Sequence, residues 1–175
     1  MLKLLEFSAR GPVMGLSFLL TALLVGAIFP NIPVAGQTLL DLLPAYDRAL
    51  IQNRILEYGD EWRVMQIWSS LSVDAVFPLI YGLFFIGIAY RLRIGEWGKW
   101  LTLPAFLLVG VDYAENIQIA TLLLNWPDIS DSRIAIASAT TGIKNALTQI
   151  NLLISLILIV KEAGIWSVRS WRRTG

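Results

Sequence analysis

The sequence predicts an all-α fold: an integral membrane bundle of four transmembrane helices, with an extra amphipathic helical segment in the first outer loop. Four apolar stretches are each long enough to cross a bilayer, because a spanning helix needs about 20 mostly apolar residues. Charged residues make up 15% of the 175-residue chain, whereas soluble domains carry about 25%. We therefore expect one membrane domain over residues 1–175, with spans at residues 13–29, 69–90, 100–124 and 134–160.

The composition excludes several classes of chemistry, because the chain contains no cysteine and no histidine. Without cysteine it can form neither disulfides nor iron–sulfur clusters. Without histidine it lacks the commonest ligand for haem and zinc and the usual general base near neutral pH. A net charge of +1, with no basic stretch interleaved with aromatics, argues against nucleic-acid binding. We therefore expect no cofactor.

Lysine and arginine predict the orientation of the chain, since they accumulate on the cytoplasmic side of a membrane. The side that holds both termini has nine of them: Lys3, Arg10, Arg91, Arg93, Lys99, Lys161, Arg169, Arg172 and Arg173. The other side has four: Arg48, Arg54, Arg63 and Arg133. We therefore expect a multi-pass protein of the inner membrane with both termini in the cytoplasm.

The tryptophans support the same span boundaries, because indole prefers the headgroup layer, where its ring is half-buried and its N–H stays wet. None of the seven lies in the middle of a predicted span. We expect an outer belt at Trp62, Trp68 and Trp126, and an inner belt at Trp97, Trp100, Trp166 and Trp171.

The first span ends at Pro30, and the outer amphipathic segment follows over residues 38–58. Thr38 is predicted to cap a short helix that runs through Leu43. The rest of the segment places apolar and polar residues on opposite helix faces, and Gly59 provides a stop signal. Two roles for the segment stay open: a lid over the bundle mouth or the membrane surface, and a docking surface for a partner or ligand.

The second span is predicted to belong to a longer helix that Asp60 caps and that begins at Glu61. Such a helix, unbroken to residue 90, would be about 45 Å long and would project from the outer face of the bundle. Its polar residues recur at intervals of four and seven: Ser70, Asp74 and Tyr81. Pro78 is expected to loosen the backbone between them, and Asp74 and Tyr81 to guard the outer entrance of the bundle.

The third and fourth spans each carry a polar face. Residues three or four apart share a face of a helix, and the third span has three such residues: Asp112, Glu115 and Asn116. The fourth span has an uninterrupted polar stripe: Thr141, Lys144, Thr148, Asn151 and Ser155. Counted from the outer ends, Lys144 is level with Asp112 and Glu115, so we expect it to pair with one of these two carboxylates.

The buried charges are expected to face one another, because each charge at a span centre costs about 2.5–3.5 kcal/mol on insertion scales. With three acids against one base, either a carboxyl is protonated or a cation, amine or water occupies the cluster. Four interpretations stay open: a structural lock between helices, a pocket or path for a proton, cation or amine, a catalytic carboxylate pair, and an oxygen-only metal site. For an aspartyl protease, the stretch Val109-Gly110-Val111-Asp112 lacks the first glycine of the G-x-G-D motif.

The fourth span also carries small residues at four-residue spacing, on a face away from Lys144: Ser138, Gly142 and Ala146. Such a stripe allows close approach of a second helix. We expect it to be a helix-packing face within the chain, with a homo-oligomer seam or a contact with a larger membrane complex as the alternative.

One part of the sequence resembles a family. The stretch Ser72-Val73-Asp74-Ala75-Val76-Phe77-Pro78-Leu79-Ile80-Tyr81-Gly82, followed by Asp112-x-x-Glu115-Asn116 and the lysine Lys144, resembles a group of small bacterial four-helix membrane proteins of uncharacterised activity. The architecture is also distantly similar to the emopamil-binding and sigma-2 receptor superfamily. That resemblance implies four spans whose buried acids hold a cationic amine or act on a sterol, although here the first span has no acid.

These patterns predict a polar core built from eight residues: Asp74, Tyr81, Asp112, Glu115, Asn116, Lys144, Thr148 and Asn151. The favoured interpretation is a non-catalytic structural or accessory membrane subunit whose only certain partner is the lipid bilayer. The alternative is binding or conduction of a proton, a small cation, or an amine-bearing or lipid-like ligand at the intramembrane acids.

Overall fold

The computed structural model describes residues 1–31 and 39–174, and every regular element within those ranges is helical. The helices are α1 (Leu2–Ser8), α2 (Gly11–Leu23), α3 (Arg48–Leu71), α4 (Val73–Arg91), α5 (Leu103–Leu124) and α6 (Asp131–Thr174). Four shorter turns lie between them: a π-helical turn (Leu24–Ile28) and 3-10 turns at Phe29–Asn31, Leu40–Leu42 and Glu96–Thr102.

Four helical stretches of the described chain are long and apolar enough to cross a membrane: Gly11–Asn31, Arg48–Arg91, Gly98–Leu124 and Asp131–Ser167. The predicted all-α fold with four spans is therefore confirmed, and the chain is a multi-pass membrane protein. The first of these stretches is the least covered by the rest of the molecule, since 6% of its most apolar window is buried.

Helix α4 organises the bundle, because α1, α2 and α5 all pack against it, while α6 packs mainly against α5. Ring contacts join the first span to α4: Phe18 meets Phe84 with centroids 5.3 Å apart, and Phe29 meets Phe77 at 5.0 Å. Near the end of α4, α1 approaches Gly87 so closely that a Cβ there would overlap the Ser8 carbonyl. The first span and α6 thus both pack against α4, with no extensive contact between them in the described chain.

The long helix expected from Glu61 through the second span is not continuous. Helix α3 ends at Leu71, and Ser72 leaves the helical region with φ −117° and ψ −83° before α4 begins. The Ser72 hydroxyl donates to the Trp68 carbonyl over 2.5 Å, a local bond that competes with the helical ladder. The break divides an outer helix from the membrane-crossing one.

The outer segment partly follows its prediction. Its long helix begins at Arg48, where the Asp47 carboxylate accepts from the Leu50 amide over 2.8 Å. Gly59 interrupts α3 with a φ of 71°, a left-handed conformation that glycine adopts without strain. The proposed cap at Thr38 lies outside the described residues, and the short helix is a single 3-10 turn, Leu40–Leu42.

The outer segment packs into the bundle instead of lying flat on it. Ile51 and Trp62 are fully buried in a core that also contains Leu123 of α5 and Ile134 of α6. The expected interfacial position of Trp62 is therefore wrong, because apolar side chains of the outer segment cover it. Trp68, Trp100 and Trp166 are exposed, and Trp126 packs at the edge of that core. The side chains of Trp97 and Trp171 lie outside the described part of the structure.

Candidate functional site

A cavity of about 680 Å³ lies within the bundle. We call it the acidic cavity, because three carboxylates and one ammonium line it among mostly apolar side chains. The first span, the turn Leu40–Leu42 and helices α4, α5 and α6 all contribute to its wall. Its lining residues are Thr21, Val25, Phe29, Pro30, Leu39, Asp41, Leu42, Asp74, Phe77, Tyr81, Phe85, Leu108, Asp112, Lys144, Thr148 and Leu152.

Pro78 explains how α4 and α5 are held together beside the cavity. Proline has no backbone N–H, so the Asp74 carbonyl one turn earlier loses its helical donor. The Asn116 amide of α5 donates to that carbonyl over 3.0 Å. The Asp74 side chain, which lines the cavity, accepts from the Ser69 hydroxyl over 3.2 Å. Asn116, which the sequence placed in the polar core, is thus buried there in a structural contact.

We expect Asn116→Leu to lower the free energy of unfolding by about 1–3 kcal/mol, because it leaves the Asp74 carbonyl buried without a donor. In a Pro78→Ala background, where residue 78 regains its N–H, the same substitution should cost at least 1 kcal/mol less. Denaturant unfolding in detergent micelles measures both. The matched control is Asn151→Leu, since Asn151 bonds only the Leu147 carbonyl of its own helix. Equal costs in the two backgrounds would contradict this role of Asn116.

A deeper group of side chains joins α4, α5 and α6. The Tyr81 hydroxyl donates to Asp112 Oδ2 over 2.5 Å. The Lys144 ammonium forms an ion pair with Glu115 Oε2 and lies 3.9 Å from Asp112 Oδ1. The expected pairing of Lys144 with a deep carboxylate is therefore present in the structure. Tyr81, however, binds the deep Asp112 and does not guard the outer entrance with Asp74.

The remaining members of the α6 stripe have different surroundings. Thr148 lines the cavity, and its hydroxyl donates to the Lys144 carbonyl over 2.9 Å. Asn151 is buried, but it turns back to its own helix and does not line the cavity. Thr141 is fully buried beside Glu115, and its hydroxyl lies 3.5 Å from that of Tyr46. Burial raises the pKa of the Tyr46 phenol above its usual value, so this group stays neutral.

Sequence reasoning missed two residues of the site, Asp41 and Gln66. Asp41 belongs to the outer segment, which the sequence did not connect with the polar core, yet it is buried and lines the cavity. Gln66 is fully buried; its carbonyl oxygen accepts from the Leu40 amide over 2.8 Å, and its amide donates to Asp41 Oδ1 over 3.1 Å. Gln66 lies four residues before Ser70, so extending the polar stripe of the second span by one turn would have found it.

The cavity carries an excess of negative groups. Lys144 is the one ammonium in its described wall, and Glu115 behind the wall already pairs with it. No lysine or arginine of the described chain lies within ion-pair distance of Asp41 or Asp74. In the same part of the chain, no three acidic side chains are grouped so that they could hold a metal ion. The excess charge therefore faces an open space and not a metal cage.

The small-residue stripe on α6 does not meet another span. The Ser138 hydroxyl accepts from the backbone amide of Tyr46 over 2.9 Å, so it fastens the outer segment. A Cβ on Gly142 would have no described atom within 4 Å, and Ala146 is exposed. The expected helix-packing face within the chain is therefore not formed, except at Ser138.

The chain matches no protein-family model, no curated protein and no solved structure. The family resemblances inferred from its residues stay predictions.

Proposed function

We propose that this protein binds a small amphiphilic cation, such as an alkylamine, in the acidic cavity. The observation that carries the proposal is the cavity itself, a space of about 680 Å³ whose wall includes Asp41, Asp74 and Asp112. Ligand cavities typically have volumes of 300–1,000 Å³, and apolar walls with a few converging polar groups. The wall described above has that composition.

Charge supports a cationic ligand. Ionised carboxylates in a low-dielectric interior are costly unless a cation pairs with them. Lys144 pairs with Glu115 and lies 3.9 Å from Asp112, so a ligand ammonium near Asp74 would balance a charge that no cation of the described chain compensates. A proton could neutralise one carboxyl, but it would not fill the space.

The apolar wall supports an organic cation over a bare metal ion. Phe77 forms edge contacts with both Phe29 and Tyr81, with ring centroids 5.0 Å apart in each case, and all three line the cavity. Aromatic faces attract organic ammonium groups and contribute about 0.5–2 kcal/mol to their binding. The distant resemblance to the emopamil-binding and sigma-2 receptor superfamily implies the same ligand chemistry.

The structural-subunit interpretation accounts for the Lys144–Glu115 pair but not for the cavity. A network that only fixes helix register is expected to fill its surroundings to the density of a protein interior.

The excess of lysine and arginine on the side of the termini supports the orientation proposed with this function, in the inner membrane with both termini cytoplasmic. In that orientation the Leu40–Leu42 turn roofs the cavity on the outer side.

Binding of a radiolabelled tertiary alkylamine to the protein in lipid nanodiscs tests the proposal. We expect saturable binding that Asp74→Asn and Asp112→Asn each weaken at least tenfold, which corresponds to about 1.4 kcal/mol. The matched control is Asp60→Asn, which removes an exposed carboxylate paired with Arg63 away from the cavity. A neutral alcohol with the same alkyl chain should compete at least tenfold more weakly. Equal competition by the alcohol, or no effect of either cavity substitution, would favour a structural role.

A further inference from the structure

We infer that the ligand is a single-chain amphiphile that enters the acidic cavity from the bilayer, through a slot between the first span and α6. The slot has Thr21 and Val25 on one side and Thr148 and Leu152 on the other, and all four line the cavity. This inference rests on the proposed function and adds to it both a route and a ligand class.

The walls of the slot do not close on each other. The first span packs mainly against α4, and α6 packs against α5 and α4, with no extensive contact between the first span and α6 in the described chain. Val25 and Leu152 both line the cavity, yet each is 54% exposed. Both belong to spans, so the surface they expose faces acyl chains. The cavity therefore reaches lipid between them.

On the outer side, a clasp holds part of the roof in place: Leu39 is buried, and Gln66 bonds both Leu40 and Asp41. Leu42 of the same turn lines the cavity and is 65% exposed. Away from the slot, the floor consists of Phe85 and Leu108, which are both buried. A route from water would pass Leu42 beside the clasp, whereas an amphiphile, which partitions into the bilayer, meets the slot.

The positions of polar and apolar side chains along the slot indicate how a ligand would lie in it. The acidic groups are level with Lys144 and nearer the outer end, while Leu152 lies eight residues further along α6, about 12 Å at 1.5 Å per residue. Over that distance the wall of the slot consists of Thr148, Leu152 and the buried floor, of which all but Thr148 are apolar. A cationic head would lie among the carboxylates, and one alkyl tail would lie along the slot. The volume of the cavity suits a drug-sized molecule and is too small for a lipid with two chains.

Photolabelling tests this placement directly. The probe is an alkylamine with a diazirine at the end of its tail, added to the protein in nanodiscs and mapped by mass spectrometry. We expect saturable labelling on the first span around Thr21 and on α6 around Leu152, lost in Asp74→Asn. Labelling confined to residues 39–42 would overturn the inference.

Association kinetics provide an independent test. Val25→Trp and Leu152→Trp narrow the slot and should slow binding of the alkylamine at least tenfold. The matched controls are Leu16→Trp and Leu156→Trp, which lie on the same two helices, are both 59% exposed and do not line the cavity. Unchanged rates in the slot variants would overturn the bilayer route.

The two proposals fail in different ways. If the wild-type chain shows no saturable labelling at all, the proposed amine binding is wrong, and the slot inference falls with it. If the wild-type chain binds the amine, and the slot variants bind at the wild-type rate, then binding stands and only the route is wrong.

Discussion

Replacing Lys144 with methionine is expected to lower the free energy of unfolding by about 3–5 kcal/mol, because it leaves an uncompensated charge in the bundle. Its partner Glu115 is 0% exposed, so the carboxylate cannot turn to water or to the headgroups once the ammonium is gone. Asp112 loses its nearby cation in the same step. The loss would be a large part of the stability of a typical domain, which is about 5–15 kcal/mol. Denaturant unfolding in detergent micelles, followed by tryptophan fluorescence, measures it.

Two comparisons separate the ion pair from general effects of the substitution. Adding Glu115→Leu to Lys144→Met removes both charges and should recover most of the loss, since apolar replacement of a whole buried pair is often neutral. Lys161→Met is the matched single control, because Lys161 is partly exposed at the far end of α6, where it contacts the Leu92 carbonyl and Glu162. Lys161→Met should lower the free energy of unfolding by less than 1 kcal/mol. A similarly small cost for Lys144→Met would show that the pair does not stabilise the bundle.

The spans could be predicted from the sequence because the bilayer imposes a length and a polarity that any chain must meet. The same reasoning placed Lys144 level with Asp112 and Glu115, since helical periodicity fixes which side chains share a face, and depth can be counted in residues. The contact between Tyr81 and Asp112 was harder to predict, because a long side chain reaches about one helical turn beyond the position of its own Cα.

Contacts between distant segments could not be predicted. Nothing local indicates that Asp41 turns into the bundle, because its neighbours in sequence are leucines on a segment that looked solvent-facing. Its position depends on Gln66, which lies 25 residues away and holds it from a different helix. Ser72 ends α3 within an apolar run that would otherwise continue as a helix. At the break, the Ser72 hydroxyl bonds the Trp68 carbonyl, and a hydropathy pattern does not reveal such a side-chain hydrogen bond.

The cavity likewise has no sequence signature, because it arises where two helices fail to meet. Val25 and Leu152 look like ordinary lipid-facing residues, and only the arrangement of the first span on α4 leaves space between them. The sequence indicated an excess of acids, three against one base, and the bundle geometry determines that two of them, Asp74 and Asp112, face a space together with Asp41. Whether the acids form a structural lock or a binding site therefore depends on tertiary packing.

Gln66→Met is expected to lower the free energy of unfolding by about 3 kcal/mol and to release the Leu40–Leu42 turn. Methionine has a similar length but can neither accept from the Leu40 amide nor donate to Asp41. Each buried group left without its partner costs about 1–3 kcal/mol, and both the Leu40 amide and the Asp41 carboxylate would be left in this way. Denaturant unfolding reports the stability. Since the chain has no native cysteine, maleimide labelling of Leu40→Cys reports release of the turn.

Labelling of Leu40→Cys should be slow with Gln66 present, because residue 40 is fully buried, and fast when Gln66→Met is added. Gln66→Glu is the control for the direction of the bonds: it keeps an acceptor for the Leu40 amide but removes the donor and places a second carboxylate beside Asp41. It should therefore expose residue 40 as well. If labelling stays slow in both variants, the turn is held by its apolar packing and not by the clasp. The turn would then keep Asp41 in the cavity wall without Gln66, and the alkylamine affinity should be unchanged. If the turn is released, the alkylamine affinity should fall as residue 40 becomes accessible to the maleimide.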